Sequence, residues 1–151
     1  LVGNRRGFTL LEILIVLAIM GLLIAIVTPS FQTMRNNQLL KAVASDVFSA
    51  LDKARSQTLS SINSSEYGVH FESDEIVIFK GTVFSSSDPS NEYIPITSPS
   101  SISNINLTGG ATDLYFSKLS GAPNKTGTIT VSISSSSKII TISATGTASM
   151  N

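Results

Sequence analysis

A long apolar run near the N-terminus is the first pattern in the chain. From Phe8 to Val27 the only interruptions are Thr9, Glu12 and Gly21. A helix rises by ~1.5 Å per residue, so this run is long enough to cross a hydrocarbon core of about 30 Å. The pattern predicts a membrane-spanning helix over residues 8–27.

A second helical pattern follows and predicts an amphipathic helix over residues 28–62. Pro29 removes one backbone donor and is expected to kink or locally open the helix without ending it. Beyond it, polar residues such as Lys41 and Asp52 share one face. Apolar positions recur on the other face in steps of four and three, at Leu40, Ala44, Val47, Leu51, Ala54, Thr58 and Ile62.

Period-two alternation then predicts strands and turns for residues 63–151. One hairpin is expected from strands 67–71 and 75–80, and another from 128–134 and 138–144. A short strand is predicted at 113–116, and the Ser/Pro-rich stretch 81–101 is expected to be a surface excursion with one edge strand. The expected fold class is α+β, a long helix packed on an antiparallel β-sheet domain.

Bulk composition narrows the functional classes only slightly. Ten basic and ten acidic residues cancel, so the whole protein has no net charge to attract nucleic acid or anionic lipid. The chain has no cysteine, which excludes disulfides, thiolate metal sites and cysteine nucleophiles.

The residues before the apolar run form a polar leader, 1–7, that ends in Arg5, Arg6 and Gly7. Basic residues on this flank favour the cytoplasmic side, which predicts a single-pass protein with its C-terminal domain outside. The alternative is a plain anchor or secretory signal. The run is longer than a signal core and no small-residue cleavage site follows it, so we favour a different role.

Glu12 is the least expected residue in the apolar run. A carboxylate well inside a bilayer costs about 2 to 3 kcal/mol, which implies a partner. If the chain is cut after Gly7, the new α-amino group of Phe8 lies one helical turn away, and a neighbouring copy could present its amine to this carboxylate. The alternative is that Glu12 snorkels to the membrane interface.

The motif from Gly7 to Glu12, with the preceding Arg5 and Arg6 and the apolar run followed by Pro29, resembles the class III signal of type IV pilins and type II secretion pseudopilins. The resemblance implies cleavage after Gly7 by a prepilin peptidase, N-methylation of Phe8, and use of Glu12 to set subunit register in a filament. It assigns the remaining motif positions to assembly, namely Thr9, Leu10, Leu11 and Pro29.

The segment from Leu51 to Thr58, which contains Ala54, Arg55 and Ser56, is similar to the helix-end pattern of the GspH/FimT group of minor pilins and pseudopilins. The family resemblance implies the type IV pilin fold and a structural subunit of a pilus or pseudopilus. Its expected partners are other subunits, prepilin peptidase, an inner-membrane assembly platform, and membrane lipid before assembly. The implied location is the bacterial inner membrane, with the C-terminal domain periplasmic.

Enzymatic and cofactor chemistry is not expected, because the chain has one histidine, His70, on an alternating strand. Glu72, Asp74 and Glu75 cluster at a hairpin tip but lack the ligand spacing of a calcium-binding loop.

The alternative function is DNA binding in natural transformation, as in FimT-like minor pilins. It would use exposed basic residues, and the candidates are Lys118, Lys125 and Lys138. Since the tail after Gly146 has no basic residue, DNA is the less favoured partner.

Overall fold

The computed structural model describes residues 7–150, and it describes residues 27–30 by their backbone alone. By internal contacts the chain divides into two compact units, Leu1–Arg35 and Asn36–Asn151. Arg5 and Arg6 lie outside the described residues.

One helix, α1, runs from Leu10 to Leu59 and includes the backbone of Pro29. The predicted helix therefore continues through the proline, and it ends three residues before the expected limit at 62. The chain leaves the helix through Ser61, whose φ of 48° is left-handed, and a short 3-10 turn spans Ile62–Ser64. Ile62 consequently lies off the buried helix face and is 43% exposed.

Within residues 7–150, eight strands form two four-stranded antiparallel sheets, a division that the sequence pattern did not predict. The first sheet has the order β3-β2-β1-β5 and the second has the order β4-β6-β7-β8. The strands are β1 Tyr67–Phe71, β2 Glu75–Lys80, β3 Glu92–Pro95, β4 Ser101–Leu107, β5 Asp113–Tyr115, β6 Gly127–Ile133, β7 Ser136–Ile142 and β8 Ala148–Met150.

Both predicted hairpins are confirmed. β1 pairs with β2 in a register that places Val69 opposite Ile78. β6 pairs with β7 in a register that places Ile129 opposite Ile140. β3 is the edge strand expected in the Pro-rich excursion. The sheets are separate because β5 returns to pair with β1, whereas β4 pairs with β6.

The hydrophobic core lies between the second half of α1 and the two sheets. Of the helix positions predicted to be apolar and buried, all but Ile62 are buried. The packing partners alternate along the strands, as period two requires. They include Val69 and Phe71 from the first sheet and Ile129, Val131 and Ile140 from the second. The α+β class, with a long helix on antiparallel sheets, is therefore confirmed and is consistent with the type IV pilin fold.

Candidate assembly motif at the N-terminus

Thr9 caps the start of α1. Its hydroxyl oxygen accepts a hydrogen bond from the backbone N–H of Glu12 at 3.2 Å, and its carbonyl accepts one from the N–H of Ile13 at 3.3 Å. Threonine followed three residues later by glutamate is the spacing of a capping box, which satisfies amide donors that a helix start leaves unpaired. The motif residues Thr9, Leu10, Leu11 and Glu12 thus form the first turn.

The cap gives Glu12 a defined place in that turn. A carboxylate in the first turn interacts favourably with the positive end of the helix dipole. The side chain is exposed in the single chain. From Glu12 the next charged residue along the chain is Arg35. Glu12 is therefore the only charged side chain between Gly7 and Met34.

The side chains around Glu12 form an apolar surface that the single chain leaves uncovered. Phe8 is 80% exposed and Leu10 is 83% exposed, and the large apolar side chains from Ile13 to Ile26 are all about half exposed or more. Within residues 7–150, α1 is the one helix long and apolar enough to cross a membrane by length and composition. A surface of this kind needs lipid or other apolar helices around it.

Gly7 lies immediately before the capped turn. It is exposed, and a Cβ added to it would meet nothing within 4 Å. The structure thus brings Gly7, Phe8, Thr9, Leu10, Leu11 and Glu12 together as one exposed segment at the start of α1. Pro29 lies farther along the same helix.

Arg55 donates hydrogen bonds to two backbone carbonyls of distant loops. Its Nε donates to the carbonyl of Gly121 at 3.1 Å, and Nη2 donates to the carbonyl of Thr145 at 3.2 Å. These two carbonyls belong to loops that are 66 and 90 residues further along the chain. Arg55 therefore connects the last part of α1, by hydrogen bonds, to the loops before β6 and β8.

Gly146 is required at this contact. Its φ is +80°, and a Cβ there would approach the carbonyl oxygen of Gly121 to 2.2 Å and Arg55 Nε to 2.9 Å. Next to it, a cavity of about 180 Å³ is lined by side chains of α1, by the turn before β8 and by the first residue of β8. Its lining consists of Phe48, Leu51, Asp52, Arg55, Gly146, Thr147 and Ala148.

The side chain of His70 packs against an aromatic ring and lies close to a carboxylate. Its ring stacks on Phe84, with centroids 3.9 Å apart and planes 9° apart, and Nε2 lies 3.3 Å from Glu72 Oε1. Phe84 also lies edge-on to Phe79, so the loop after β2 covers the face of the first sheet that points away from α1. Residues 7–150 contain no group of three or more acidic or histidine side chains placed to hold a metal ion.

Two of the three lysines considered for DNA binding make contacts within the fold. Lys125 Nζ lies 3.2 Å from Asp113 Oδ2, and Lys118 Nζ donates to the carbonyl of Ser64 at 2.6 Å. The pKa of Asp88 is lowered, first because the Ser90 hydroxyl donates to its carboxylate and then because the Ser90 amide does so.

The N-terminal segment matches a known family model. Residues 3–28 match the prokaryotic N-terminal methylation motif. The match supports a type IV pilin-like protein that is processed by prepilin peptidase and assembles with other pilin subunits, and pilin-type proteins are structural and not enzymatic. Together with the long apolar helix, the match suggests a membrane-anchored, pilin-like protein. No significant match was found among curated proteins or among solved structures.

Two features of the site are not predicted from the sequence. The motif assigns Thr9 to assembly by its position, and the capping role is indicated only by its spacing to Glu12, which is that of a capping box. The partners of Arg55 are backbone carbonyls far along the chain, and no local pattern points to them.

Proposed function

We propose that this protein is a filament subunit of a type IV pilus or a type II secretion pseudopilus, cut after Gly7, methylated on the amine of Phe8 and assembled through α1. The observation that carries the proposal is the capped, exposed turn from Thr9 to Glu12 at the start of a helical segment whose large apolar side chains are about half exposed or more. A plain anchor needs the helix but has no use for a carboxylate there.

Glu12 acts through pairing with a second copy. In the bilayer its carboxylate carries an unfavourable free energy of about 2 to 3 kcal/mol. The amine released at Phe8 by cleavage is the nearest group of opposite charge that every copy supplies. When Glu12 of one copy meets the amine of Phe8 of the next, both charges are paired in apolar surroundings and the two helices acquire a fixed register.

The apolar side chains from Ile13 to Ile26 then exchange lipid for helix contacts within the filament. Arg5 and Arg6 hold the leader on the cytoplasmic side until it is removed, and the unit after Arg35 lies in the periplasm before assembly. We assign Leu10, Leu11 and Pro29 to the helix surface that copies share. The division into leader 1–7, membrane segment 8–27, following helix 28–62 and sheet domain 63–151 belongs to the same proposal.

Processing is tested by replacing Gly7. In a host with a prepilin peptidase, Gly7→Arg is expected to accumulate as an unprocessed membrane precursor, because the bulky cation occupies the position before the cut. Mass spectrometry of the N-terminus distinguishes leader from methylated Phe8. Gly21→Ala is the matched control, since a Cβ there meets nothing within 4 Å. Normal cleavage of Gly7→Arg would contradict the proposal.

Assembly is tested separately by replacing Glu12. Glu12→Ala is expected to be cleaved and methylated normally, while its incorporation into sheared filaments falls about tenfold or more, equivalent to roughly 1.4 kcal/mol or more of lost pairing. Asp46→Ala removes an exposed carboxylate from the later part of the same helix and is expected to assemble as the parent does. Equal incorporation of the two variants would exclude the pairing role.

A further inference from the structure

The two sheets have four edges, at β3, β5, β4 and β8. Unpaired edges attract other strands, and proteins protect them with prolines, charges, bulges or covering segments. β3 contains Pro95, which has no N–H, and Glu92, whose carboxylate is held by Lys53 at 2.6 Å. This edge is blocked.

Two further edges are also blocked. On β5, the N–H of Tyr115 donates to Asn124 Oδ1 at 2.8 Å, its carbonyl accepts from the Asn124 N–H at 2.9 Å, and the Asp113 carbonyl accepts from Lys125 Nζ at 2.9 Å. On β4, the register shifts at Ser103, between Ile102 and Asn104. Such a bulge distorts the edge and disfavours a further strand.

The edge at β8 is three residues long, and within the described residues it has no proline, charge, bulge or covering segment. Ser143 N–H donates to the Thr147 carbonyl at 3.0 Å, and hydrogen-bonded pairs alternate along antiparallel strands. Ser149 is thus bonded to Thr141, while the N–H and C=O groups of Ala148 and Met150 point away from β7. Within the described residues, these groups have no partner beyond the sheet.

The β8 edge is complementary to itself. Two antiparallel copies centred on Ser149 would place Ala148 of each opposite Met150 of the other, and each opposed pair would exchange two backbone hydrogen bonds. Residues 139–150 contain no charged side chain, so two copies meet without like-charge repulsion. A self-complementary contact of this kind relates the copies by a two-fold axis.

The cavity beside β8 provides a place for one side chain of the partner. Ala148 lines the cavity and lies opposite Ile142, a core residue, so it faces α1. In the self-paired arrangement Met150 of the second copy lies beside Ala148 on that same face. Met150 is 40% exposed and Phe48, which also lines the cavity, is 41% exposed. A flexible methionine suits an irregular space of about 180 Å³.

We propose that β8 pairs with β8 of a second copy of this chain, joining the two second sheets edge to edge and inserting Met150 of each copy above Phe48 of the other. The short edge buries far less than the ~1,200 Å² of a standard stable interface, so the pair needs copies concentrated by their membrane helices. It rests on the proposed function for that anchoring. Because a two-fold contact closes on itself, it differs from the contact that extends a filament.

Cysteine cross-linking in membranes tests the pairing, since the parent chain has no cysteine. Two Ser149 residues would face each other in a non-hydrogen-bonded pair with Cα atoms about 4.5 Å apart, within disulfide range. Full-length Ser149→Cys, in a Glu12→Ala background that suppresses filaments, is treated with copper-phenanthroline and run on a non-reducing gel. The expected product is a band at twice the mass of one chain.

Two variants in the same background make the result specific. Adding Met150→Pro removes an outward N–H and no bond to β7, and it is expected to abolish the cross-link while circular dichroism stays unchanged. Thr82→Cys, on an exposed loop after β2, is expected to give no dimer. Absence of the Ser149→Cys dimer, its persistence with Met150→Pro, or a cross-link to a different protein overturns the pairing. Gly7→Arg and Glu12→Ala test filament function independently, so the two failures are distinguishable.

Discussion

At the scale of single residues, Thr9 and Glu12 act together. The hydroxyl oxygen of Thr9 accepts a hydrogen bond from the backbone N–H of Glu12, so the first turn of α1 is already ordered in the single chain. A carboxylate on an ordered turn loses less conformational freedom on pairing than one on a frayed turn. The cap by Thr9 thus lowers the entropic cost of pairing Glu12 during assembly.

Thr9→Val is therefore expected to weaken assembly although no charge changes. Valine keeps the branched shape but removes the capping oxygen, at a cost of about 1 kcal/mol to the first turn. Amide exchange at Glu12 in detergent should accelerate about fivefold, and incorporation into filaments should fall. Thr9→Ser keeps the oxygen and should behave as the parent does. Equal exchange rates in the valine and serine variants would refute the cap.

At the scale of elements, Thr58 joins α1 to β1. It is fully buried, its hydroxyl donates to the Ala54 carbonyl at 2.9 Å, and its oxygen accepts the Tyr67 N–H at 2.9 Å. The sequence pattern counted Thr58 among the apolar positions of the helix face. Its burial confirms that placement. Its hydroxyl has a further role, because it bonds the helix backbone at Ala54 and the first residue of β1 at the same time.

Thr58→Val is expected to reduce the free energy of unfolding by about 1 to 3 kcal/mol, because it leaves the buried Tyr67 N–H without an acceptor. Urea unfolding of the full chain in detergent, followed by tyrosine fluorescence, measures the change. Thr141→Val on β7 is the control, since that side chain is exposed and valine suits a strand. A loss no larger than that of the control would show that the hydroxyl contributes nothing.

Local periodicity predicted the elements well, because it reflects burial directly. The spacing of Leu40, Ala44 and Val47 identified the buried helix face, and alternation identified both hairpins. The division into two sheets and the strand Ala148–Met150 were not predicted. They depend on which distant strands pair, and a short Ser/Thr-rich tail has no periodicity of its own.

At the scale of the whole molecule, the distribution of charge bears on whether the protein binds DNA. The formal net charge is zero. Lys53 and Lys125 are paired with Glu92 and Asp113, so part of the basic charge is neutralised within the fold. Binding to duplex DNA requires several unpaired cations that displace counterions from phosphates. Pairing of these two lysines reduces the number of cations that are available to phosphates.

We therefore expect the full-length protein in neutral detergent to leave duplex DNA unshifted on a native gel, even at a low salt concentration of about 50 mM. A variant with Glu72→Lys and Asp74→Lys adds basic charge at the exposed turn between β1 and β2, and it should produce a weak shift that disappears as salt rises. This gain shows that the assay detects charge-driven binding. A salt-sensitive shift by the parent chain that is lost with Lys138→Ala would instead establish DNA as a partner. Of the three candidate lysines, Lys138 is the one with neither an ion pair nor an internal hydrogen bond within the described residues.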